Sequence, residues 1–384
     1  MSENPTLPEA LPAPILVADR AALQQLVETL DREPAVGVDT ESNSLFAYRE
    51  RVCLIQFSTP TQDFILDPLA VEDLSSLAPL FARPEQQKIF HASEYDVICL
   101  KRDYNFQFAN LFDTMVAART LGWPQLGLAA ILETHFGVKM NKRFQRADWG
   151  MRPLTSELLD YARLDTRFLV RLRDLLAAEL TAKGRLEEAH EEFARLERVA
   201  GAVNGANPHA FWRINGARDL APNQAGVLRE LHEYRERQAE RADRPPFKVM
   251  SDQTLLEIAR TGPNSLGDLE GLPGMTPQQI RRHGPNLLKA VRRGLGGPPV
   301  RPPHYEREPD SVRERYELLH QWRKRKAQAR GVESDVIISR DALWELARTA
   351  PRTPEALAQI ANLGPWRREA YGEEILSVIN SYEG

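Results

Sequence analysis

An internal repeat constrains the second half of this chain more strongly than any other feature of its sequence. LHEYR begins at Leu231 and LHQWR at Leu319, while SDQTLLEIAR begins at Ser251 and SRDALWELAR at Ser339. Both pairs are 88 residues apart. Chance similarity at two places with one common offset is improbable, so the sequence predicts two copies of one helical domain.

The first half of the chain begins with short apolar runs and continues with helical spacing. Brief turns join the first three runs, which favours antiparallel strands, whereas a helical segment before the fourth favours parallel pairing through a crossover. The predicted strands are residues 35–42, 51–59, 63–68 and 88–93. The predicted helices are residues 95–102, 114–121, 126–136 and 155 to about 199, with Thr155 as a cap. This arrangement resembles the ribonuclease H-like fold.

Composition excludes several classes of protein. With 42% hydrophobic and 27% charged residues, the chain is typical of globular proteins. No apolar run approaches the roughly 18 residues of a membrane span, and the start, MSENPTLPEALPAP, lacks the features of a secretory signal. We therefore expect a cytoplasmic protein without membrane contact. Cys53 and Cys99 lie in apolar runs, which predicts buried free thiols and no disulfide or zinc site.

Asp39 and Glu41 lie one residue apart in VDTES, at the end of a predicted strand. Side chains at i and i+2 of a strand point to the same face, so the two carboxylates project together. Burying two like charges side by side costs several kcal/mol unless a cation lies between them. A divalent metal ion is the simplest partner, although the pair could instead cap the turn that leaves the strand.

Three further residues extend this acidic set. Asp96, in HASEYDVICL, begins a helix after the fourth strand, where the helix dipole also favours an acid as a plain cap. His91 is a rival ligand on that strand, but hard oxygen donors suit magnesium better than imidazole does. Tyr161 and Asp165, in LLDYARLDTRFL, are spaced i and i+4 on one helix face. A solvent-exposed position is the alternative for Asp165.

Together the acids indicate a chemistry that none of them indicates alone. Two magnesium or manganese ions about 4 Å apart need bridging and flanking carboxylates, and they activate water and stabilise the leaving oxygen in phosphodiester cleavage. Tyr161 would position or deprotonate that water, although its ordinary pKa of about 10 is high for a base. The predicted ligands are Asp39, Glu41, Asp96 and Asp165.

The segments VDTES, HASEYD and YARLD, in this order, resemble the three motifs of the DEDD superfamily of 3′–5′ exonucleases, in its tyrosine subtype. Residues 111–120 (LFDTMVAART) and 140–155 (MNKRFQRADWGMRPLT) resemble the ribonuclease D family within it. The resemblance covers about residues 15–200. It implies a water-orienting role for Tyr161 and metal binding by Asp39, Glu41, Asp96 and Asp165. Asp113 lies outside that catalytic set, and we expect it to cap the following helix.

The two helical copies, about 217–294 and 313–382, resemble the HRDC domain. Two such copies after a DEDD exonuclease domain are the domain order of the ribonuclease D family. The expected fold is therefore an α/β ribonuclease H-like exonuclease domain, with a mixed sheet and flanking helices, followed by two all-α HRDC-type domains. The predicted bounds are 1–205 for the exonuclease domain, 206–296 for the first HRDC domain, 297–311 for a linker and 312–384 for the second HRDC domain.

Local charge points to a polyanionic partner although the formal net charge is −4. Residues 281–330 contain 14 Lys and Arg against five Asp and Glu, which is either a solvated face or a nucleic-acid contact. Near the predicted active site, Lys142, Arg143 and Arg146 are expected to contact phosphates. An ordinary polar loop is the alternative for these three residues.

The resemblance implies a 3′–5′ exoribonuclease that releases 5′-monophosphates from single-stranded RNA ends, with two Mg²⁺ or Mn²⁺ ions. Precursor transfer RNAs or other small structured RNAs are the expected substrates, and a monomer is the expected state. One alternative is a DNA-directed 3′–5′ exonuclease, since no motif reveals a contact to the 2′-hydroxyl. A second alternative is a catalytically inert nucleic-acid-binding scaffold, which would require that one of the acids be missing.

Overall fold

The computed structural model describes residues 12–140, 142–201, 207, 209–303 and 307–382. Contacts within the chain divide it into two compact units. The first comprises Met1–Glu41, Val52–Ala202 and Arg307–Gly384, and the second comprises Ser42–Arg51 and Val203–Glu306. Across the described residues, no helix has both the length and the apolar character needed to cross a membrane.

One sheet organises the predicted exonuclease domain. Its six strands, among the described residues, run in the order β1-β4-β3-β2-β5-β6. They are β1 (Ile15–Val17), β2 (Ala35–Ser42), β3 (Val52–Ser58), β4 (Asp63–Leu66), β5 (Gln87–Phe90) and β6 (Leu111–Asp113). β3 and β4 pair antiparallel, while β2 with β5, β5 with β6 and β1 with β4 pair parallel. The predicted mixed sheet is confirmed, with two additional short strands at its edges.

Helices cover both faces of this sheet, so that every residue of β3 is buried. They are α1 (Arg20–Leu30), α2 (Ala78–Ala82), α3 (Glu94–Tyr104), α4 (Thr114–Leu121), α5 (Leu128–Phe136), α6 (Ser156–Ala162), α7 (Leu164–Arg167), α8 (Leu169–Ala182) and α9 (Leu186–Glu197). 3₁₀ turns occupy Ser75–Leu77 and Lys142–Phe144. Both cysteines are buried thiols, as predicted.

The helical run predicted from Thr155 to about Val199 is interrupted. Thr155 caps α6 as expected, because its hydroxyl accepts a hydrogen bond from the Leu158 amide. The run then breaks at Arg163, at Phe168 and again before α9, where Gly184 adopts a φ of +62°. Glycine tolerates this left-handed conformation at the end of a helix, which the apolar spacing alone does not reveal.

Two helical domains complete the chain, and they share one plan. The first contains α10 (Pro222–Ala242), α11 (Pro246–Val249), α12 (Asp252–Thr261) and α13 (Pro277–Gly296), with 3₁₀ turns at Ala210–Arg213, Ala217–Asp219 and Gly267–Leu269. The second contains α14 (Asp310–Arg330), α15 (Ser334–Ile337), α16 (Arg340–Thr349), α17 (Pro354–Leu357) and α18 (Pro365–Asn380). α14, α15, α16 and α18 each begin 88 residues after α10, α11, α12 and α13. The predicted duplication is confirmed.

A buried arginine makes the same hydrogen bond in both copies. Arg235 donates to the Met250 carbonyl at 3.2 Å, and Arg323 donates to the Ile338 carbonyl at 3.1 Å. Each carbonyl belongs to the residue that directly follows the short second helix of its copy. The guanidinium therefore satisfies a backbone acceptor that lies outside the helical hydrogen-bond pattern.

The second helical domain belongs to the same compact unit as the exonuclease domain. Helix α9 packs against α18. Arg330 Nη2 lies 2.6 Å from Glu188 Oε2, and Arg367 Nη1 lies 2.6 Å from Glu191 Oε1. These pairs are shielded from solvent, since Glu188 is fully buried and Arg367 is 4% exposed. The last helix of the exonuclease domain is therefore also part of the packing surface for α14 and α18.

The first helical domain forms the second compact unit together with the loop that joins β2 to β3. The Tyr48 amide donates to Asp243 Oδ1 at 3.1 Å, and Arg49 lies 2.9 Å from Glu240. The Lys248 ammonium lies 4.0 Å from the centre of the Phe46 ring. The loop is thus held by hydrogen bonds, charge and a cation–π contact.

Candidate active site

The carboxylates of Asp39, Glu41 and Asp165 meet where β2 leaves the core. Residues 35–38 of β2 are buried and those from Asp39 onwards are half-buried. One oxygen from each of the three carboxylates lies within 4.8 Å of the others. The strand alternation that placed Asp39 and Glu41 on one face thus brings them to a third acid 124 residues further along the chain.

Gly37 explains how Asp165 reaches β2. A Cβ atom at this position would lie 2.8 Å from the Thr166 carbonyl oxygen and 3.3 Å from Cβ of Leu169. Only glycine allows α7 and the start of α8 to approach the strand so closely. Thr166 is buried and its hydroxyl lies 2.7 Å from that of Ser58 in β3, which ties α7 to the sheet.

Asp96 lies beside this group of three acids. It is buried in the first turn of α3, and Thr40 Oγ1 donates to its Oδ1 at 2.5 Å. Its negative charge raises the pKa values of Asp39, Glu41 and Asp165. The four predicted acids therefore share one electrostatic environment, and Thr40 joins the fourth to the strand that carries two of the others.

Burial raises the pKa values of all four acids, and repulsion from neighbouring carboxylates adds to it, that of Asp113 in the case of Asp96. Burial is the larger cause for each of them, and it raises the pKa of Glu41 to about 9. The pKa values of Asp96 and Asp165 rise to about 7, while that of Asp39 lies well above its ordinary value. The charges acting on Asp39 and Glu41 are those of other carboxylates. Hard oxygen donors at this spacing suit divalent cations, whose charge would offset the repulsion.

The Tyr161 phenol packs between aromatic rings next to the acids. Its ring centre lies 6.1 Å from that of Trp149 and 5.9 Å from that of Phe144. Burial, then the charge of Asp165, raises the pKa of Tyr161 above its ordinary value. The phenol is therefore a hydrogen-bond donor at neutral pH. A short interruption at Arg163 separates α6, which carries Tyr161, from α7, although Arg163 itself keeps helical backbone angles.

His91 and Asp113 have structural partners. His91 Nδ1 lies 2.9 Å from Thr114 Oγ1, and burial lowers the pKa of this imidazole. Asp113 caps α4, as predicted, by accepting from the amides of Met115 and Val116. It also accepts from the Ser93 amide at 2.7 Å and from the Ser93 hydroxyl at 2.8 Å. The same carboxylate therefore fixes the turn that precedes α3.

The predicted phosphate-contacting residues lie in and after the 3₁₀ turn Lys142–Phe144. Arg143 and Arg146 are exposed, and the Arg143 guanidinium lies 5.3 Å from the centre of the Phe144 ring. The side chain of Lys142 lies outside the described part of the structure. Because Phe144 touches Tyr161, this turn is close to the acidic cluster. The role of the three basic residues remains a prediction.

Sequence reasoning did not assign roles to Gly37, Thr40, Trp149 or Arg152. A glycine between Val36 and Val38 in an otherwise apolar strand was the available signal for a close backbone approach. Trp149 and Arg152 stood out only within a segment that resembles the ribonuclease D family. Arg152 also binds Cys53 and Asp67, which are distant in sequence, so spacing could not reveal its role.

Comparison with known proteins matches both parts of the chain. A family model described as 3′-5′ exonuclease matches residues 14–181, and the HRDC domain model matches residues 224–291 and 312–379. A curated ribonuclease D from Gluconacetobacter diazotrophicus is 29% identical over 373 residues, which cover 96% of this chain and 93% of that protein. The exosome complex exonuclease RRP6 of Saccharomyces cerevisiae is 29% identical over 73% of this chain, and the chain spans 40% of its length.

Two solved structures extend this likeness. The catalytic core of RRP6 from Trypanosoma brucei is 31% identical, with a TM-score of 0.68 over 77% of this chain and 83% of that one. RNase D of Escherichia coli, described as an exoribonuclease involved in structured RNA processing, is 25% identical with a TM-score of 0.71 over 97% of this chain and 100% of that one. This chain therefore belongs to the ribonuclease D family of 3′–5′ exonucleases and carries two HRDC domains after its exonuclease domain.

Proposed function

We propose that this protein is a hydrolytic exoribonuclease that removes nucleotides one at a time from RNA 3′ ends as 5′-monophosphates. The convergence of Asp39, Glu41 and Asp165 within 4.8 Å, with Asp96 beside them, is the observation that carries the proposal. A likeness over the whole chain to an exoribonuclease of Escherichia coli supports RNA as the substrate. The presence of all four acids argues against an inert scaffold.

Asp39, Glu41, Asp96 and Asp165 would hold two divalent cations, with Mg²⁺ and Mn²⁺ as the candidates. Their carboxylates are the hard donors that these ions prefer, and burial, followed by repulsion from other carboxylates, raises the pKa values of Asp39 and Glu41. When bound, the ions supply an acidified water and neutralise negative charge on the scissile phosphate. The protein contributes donors on β2, α3 and α7, and carboxylate oxygens of three of the four acids already lie within 4.8 Å of one another.

Tyr161 would orient the attacking water. Its phenol stays protonated at neutral pH because burial and the neighbouring acids raise its pKa, so it donates a hydrogen bond and does not act as a base. The aromatic contacts with Trp149 and Phe144 limit the directions in which the phenol can point. Positioning of this kind contributes to catalysis by holding the reactants in the geometry of attack.

RNA binding would use exposed cations outside the acidic cluster. Arg143 and Arg146 offer phosphate contacts near Tyr161, together with Lys142. In the first helical domain, α13 exposes five basic side chains, and residues 281–293 contain no acid. These side chains are Arg281, Arg282, Lys289, Arg292 and Arg293, and Arg293 pairs with Glu230. Precursor transfer RNAs or other small structured RNAs with single-stranded 3′ ends are the proposed substrates.

Replacement of single acids tests the proposal. Asp39→Ala or Asp165→Ala should abolish Mg²⁺-dependent cleavage of a fluorescent RNA 3′ end while circular dichroism shows an unchanged fold. Asp160→Ala is the matched control, since Asp160 is an exposed acid on α6, only five residues before Asp165. Normal turnover by either of the first two variants would refute the assignment. Comparing single-stranded RNA and DNA of one sequence would distinguish the exoribonuclease from a DNA-directed enzyme.

A further inference from the structure

The segment that packs on Tyr161 has no regular secondary structure. Residues 147–155 lie between the 3₁₀ turn at Lys142–Phe144 and α6, in turns and irregular backbone. Trp149 belongs to this segment and is 2% exposed, with its ring on that of Tyr161. Backbone carbonyls in such a segment need partners from side chains or from other elements. Whatever holds this segment therefore also determines the position of the Tyr161 ring.

Arg152 holds the segment with all five of its guanidinium N–H groups. Nη1 donates to the carbonyls of Trp149 at 2.8 Å and Met151 at 2.7 Å, within the segment itself. Nη2 donates to the Cys53 carbonyl of β3 at 3.0 Å. Nε and Nη2 also donate to the two carboxylate oxygens of Asp67, each at 2.6 Å. This set uses the complete planar fork of an arginine, including a bidentate carboxylate pair.

Asp67 connects the Arg152 guanidinium to the sheet. It directly follows β4 and is 5% exposed. Its amide donates to the Val17 carbonyl of β1 at 2.9 Å, and its Oδ1 accepts from the Leu69 amide at 2.9 Å. The acceptor is therefore rigid, because backbone and side chain are both tied to the neighbouring strand and turn.

Tyr161 depends on this arrangement because it does not pack in the main core. Its ring lies against a separate small apolar cluster. The buried members of the cluster are Cys53, Leu54, Ile65, Trp149 and Ala162. The irregular segment supplies Trp149, so part of the surface that the phenol contacts is positioned by Arg152.

We propose that Arg152, held by Asp67, is a positioning residue for Tyr161. The inference rests on the proposed function for one point, that Tyr161 orients the attacking water. The geometric link between Arg152 and Tyr161 does not depend on the proposed function. A lysine at position 152 would keep the charge, but its ammonium has three donors and no planar fork. Lysine cannot bind the carboxylate in two places and also satisfy three carbonyls, so the segment would shift.

Fluorine NMR of the full-length protein labelled with 3-fluorotyrosine tests the geometric link. The Tyr161 signal is identified by its absence in Tyr161→Phe. Arg152→Lys and Asp67→Asn should each shift or broaden this signal, whereas Arg83→Lys should not, although Arg83 also pairs with a carboxylate, that of Asp31 at 2.9 Å. If Arg152→Lys does not fold, Asp67→Asn provides the same test. An unchanged Tyr161 signal in folded variants would overturn the proposal.

Kinetics on single-stranded RNA test the consequence. Arg152→Lys should lower kcat by about tenfold and leave KM within about twofold, because a misplaced Tyr161 phenol slows the chemical step and not the binding of RNA. In a Tyr161→Phe background the same substitution should have no further effect, since it acts through the phenol. Equal losses in both backgrounds would overturn the proposal. If Tyr161→Phe itself retains full activity, the proposed role of Tyr161 fails, while the fluorine signal still decides whether Arg152 positions the ring.

Discussion

The guanidinium of Arg330 donates to both carboxylate oxygens of Glu188, at 2.9 and 2.6 Å, although Glu188 has no exposed surface. Glu188 lies on α9 of the exonuclease domain and Arg330 ends α14 of the second helical domain. A carboxylate without access to water depends on its ion-pair partner for solvation. The exonuclease domain therefore relies on the second helical domain to compensate the buried charge of Glu188.

Removing this partner should destabilise the protein. Arg330→Ala leaves a buried carboxylate unpaired, which costs about 3–5 kcal/mol in the free energy of unfolding. Urea unfolding measures the loss. Arg348→Ala is the matched control, because Arg348 pairs with Glu308 near the surface and such pairs contribute about 0–1 kcal/mol. Glu188→Gln should restore part of the loss in an Arg330→Ala background. Equal stability of the two alanine variants would contradict the prediction.

The acidic cluster should make the metal-free protein less stable at high pH. The pKa of Glu41 is raised to about 9, so the folded protein keeps a proton that the unfolded chain releases near its ordinary pKa of about 4.3. Its contribution to stability is complete below that value and is lost as the pH rises towards 9. With EDTA present, Tm should fall between pH 5 and pH 9, and Glu41→Gln should reduce that fall.

Two controls accompany the pH measurement. Glu28→Gln, on the exposed face of α1, should leave the pH dependence of Tm as in the unmodified protein. Mn²⁺ should raise Tm at pH 8 in the unmodified protein more than in Glu41→Gln, because a bound cation offsets the repulsion among the carboxylates. A Tm of the metal-free protein that rises steadily from pH 5 to pH 9 would be incompatible with the raised pKa values.

Tyr161→Phe should separate catalysis from binding. Loss of the hydroxyl removes the proposed contact to the attacking water, and loss of such a positioning contact costs on the order of 10²-fold in rate. The ring and its aromatic packing remain, so RNA affinity measured in Ca²⁺ should stay within about twofold of the unmodified protein. Single-turnover cleavage in Mg²⁺ measures the rate. A variant that cleaves as fast as the unmodified protein would exclude a role for the phenol.

The basic face of α13 should bind the RNA backbone. Replacing Arg281, Lys289 and Arg292 by Gln should reduce the steepness of log Kobs against log salt by about 0.7 for each phosphate that the protein no longer neutralises. The control replaces three exposed arginines elsewhere in the same domain, Arg237, Arg241 and Arg260. Fluorescence anisotropy measures both slopes. The same change of slope in both variants would show a general effect of charge and would exclude specific binding of RNA along α13.

Substitution is a better test of RNA binding than removal of the second helical domain. A deletion of residues 300–384 removes Arg330 and Arg367, the partners of Glu188 and Glu191. The truncated chain would then lose stability as well as positive charge, and the two effects could not be separated. The α13 substitutions leave both ion pairs in place.

Much of this architecture could be predicted from local pattern. The helical duplication was visible because the two copies retain similar sequences at a constant offset, and all its major helices keep that offset. By contrast, β1 and β6 have three residues each, too few for a periodic pattern to identify. All three residues of β1 are apolar although Ile15 and Leu16 are more than 40% exposed, so the sequence shows no alternation at this edge.

The residues of the candidate site were also predictable only in part. The alternation of side chains along a strand predicted that Asp39 and Glu41 lie on one face. The order of the three sequence motifs predicted that Asp96, Tyr161 and Asp165 belong to the same site. The support for Tyr161 could not be predicted, because Arg152 and Asp67 are 85 residues apart and meet only in the folded chain. Long-range hydrogen bonds of this kind leave no periodic signal in either segment.

The path of the chain through the two compact units affects any attempt to dissect the protein. The backbone passes from one unit to the other after Glu41, returns after Arg51, and passes again after residues 202 and 306. A protease that cuts one of these connections leaves two fragments that both contribute to the first unit, so packing and not the backbone then holds them together. Even excision of residues 203–306 would leave behind residues 42–51, the loop that packs on them. Domain swaps with relatives therefore need to exchange this ten-residue loop together with the first helical domain.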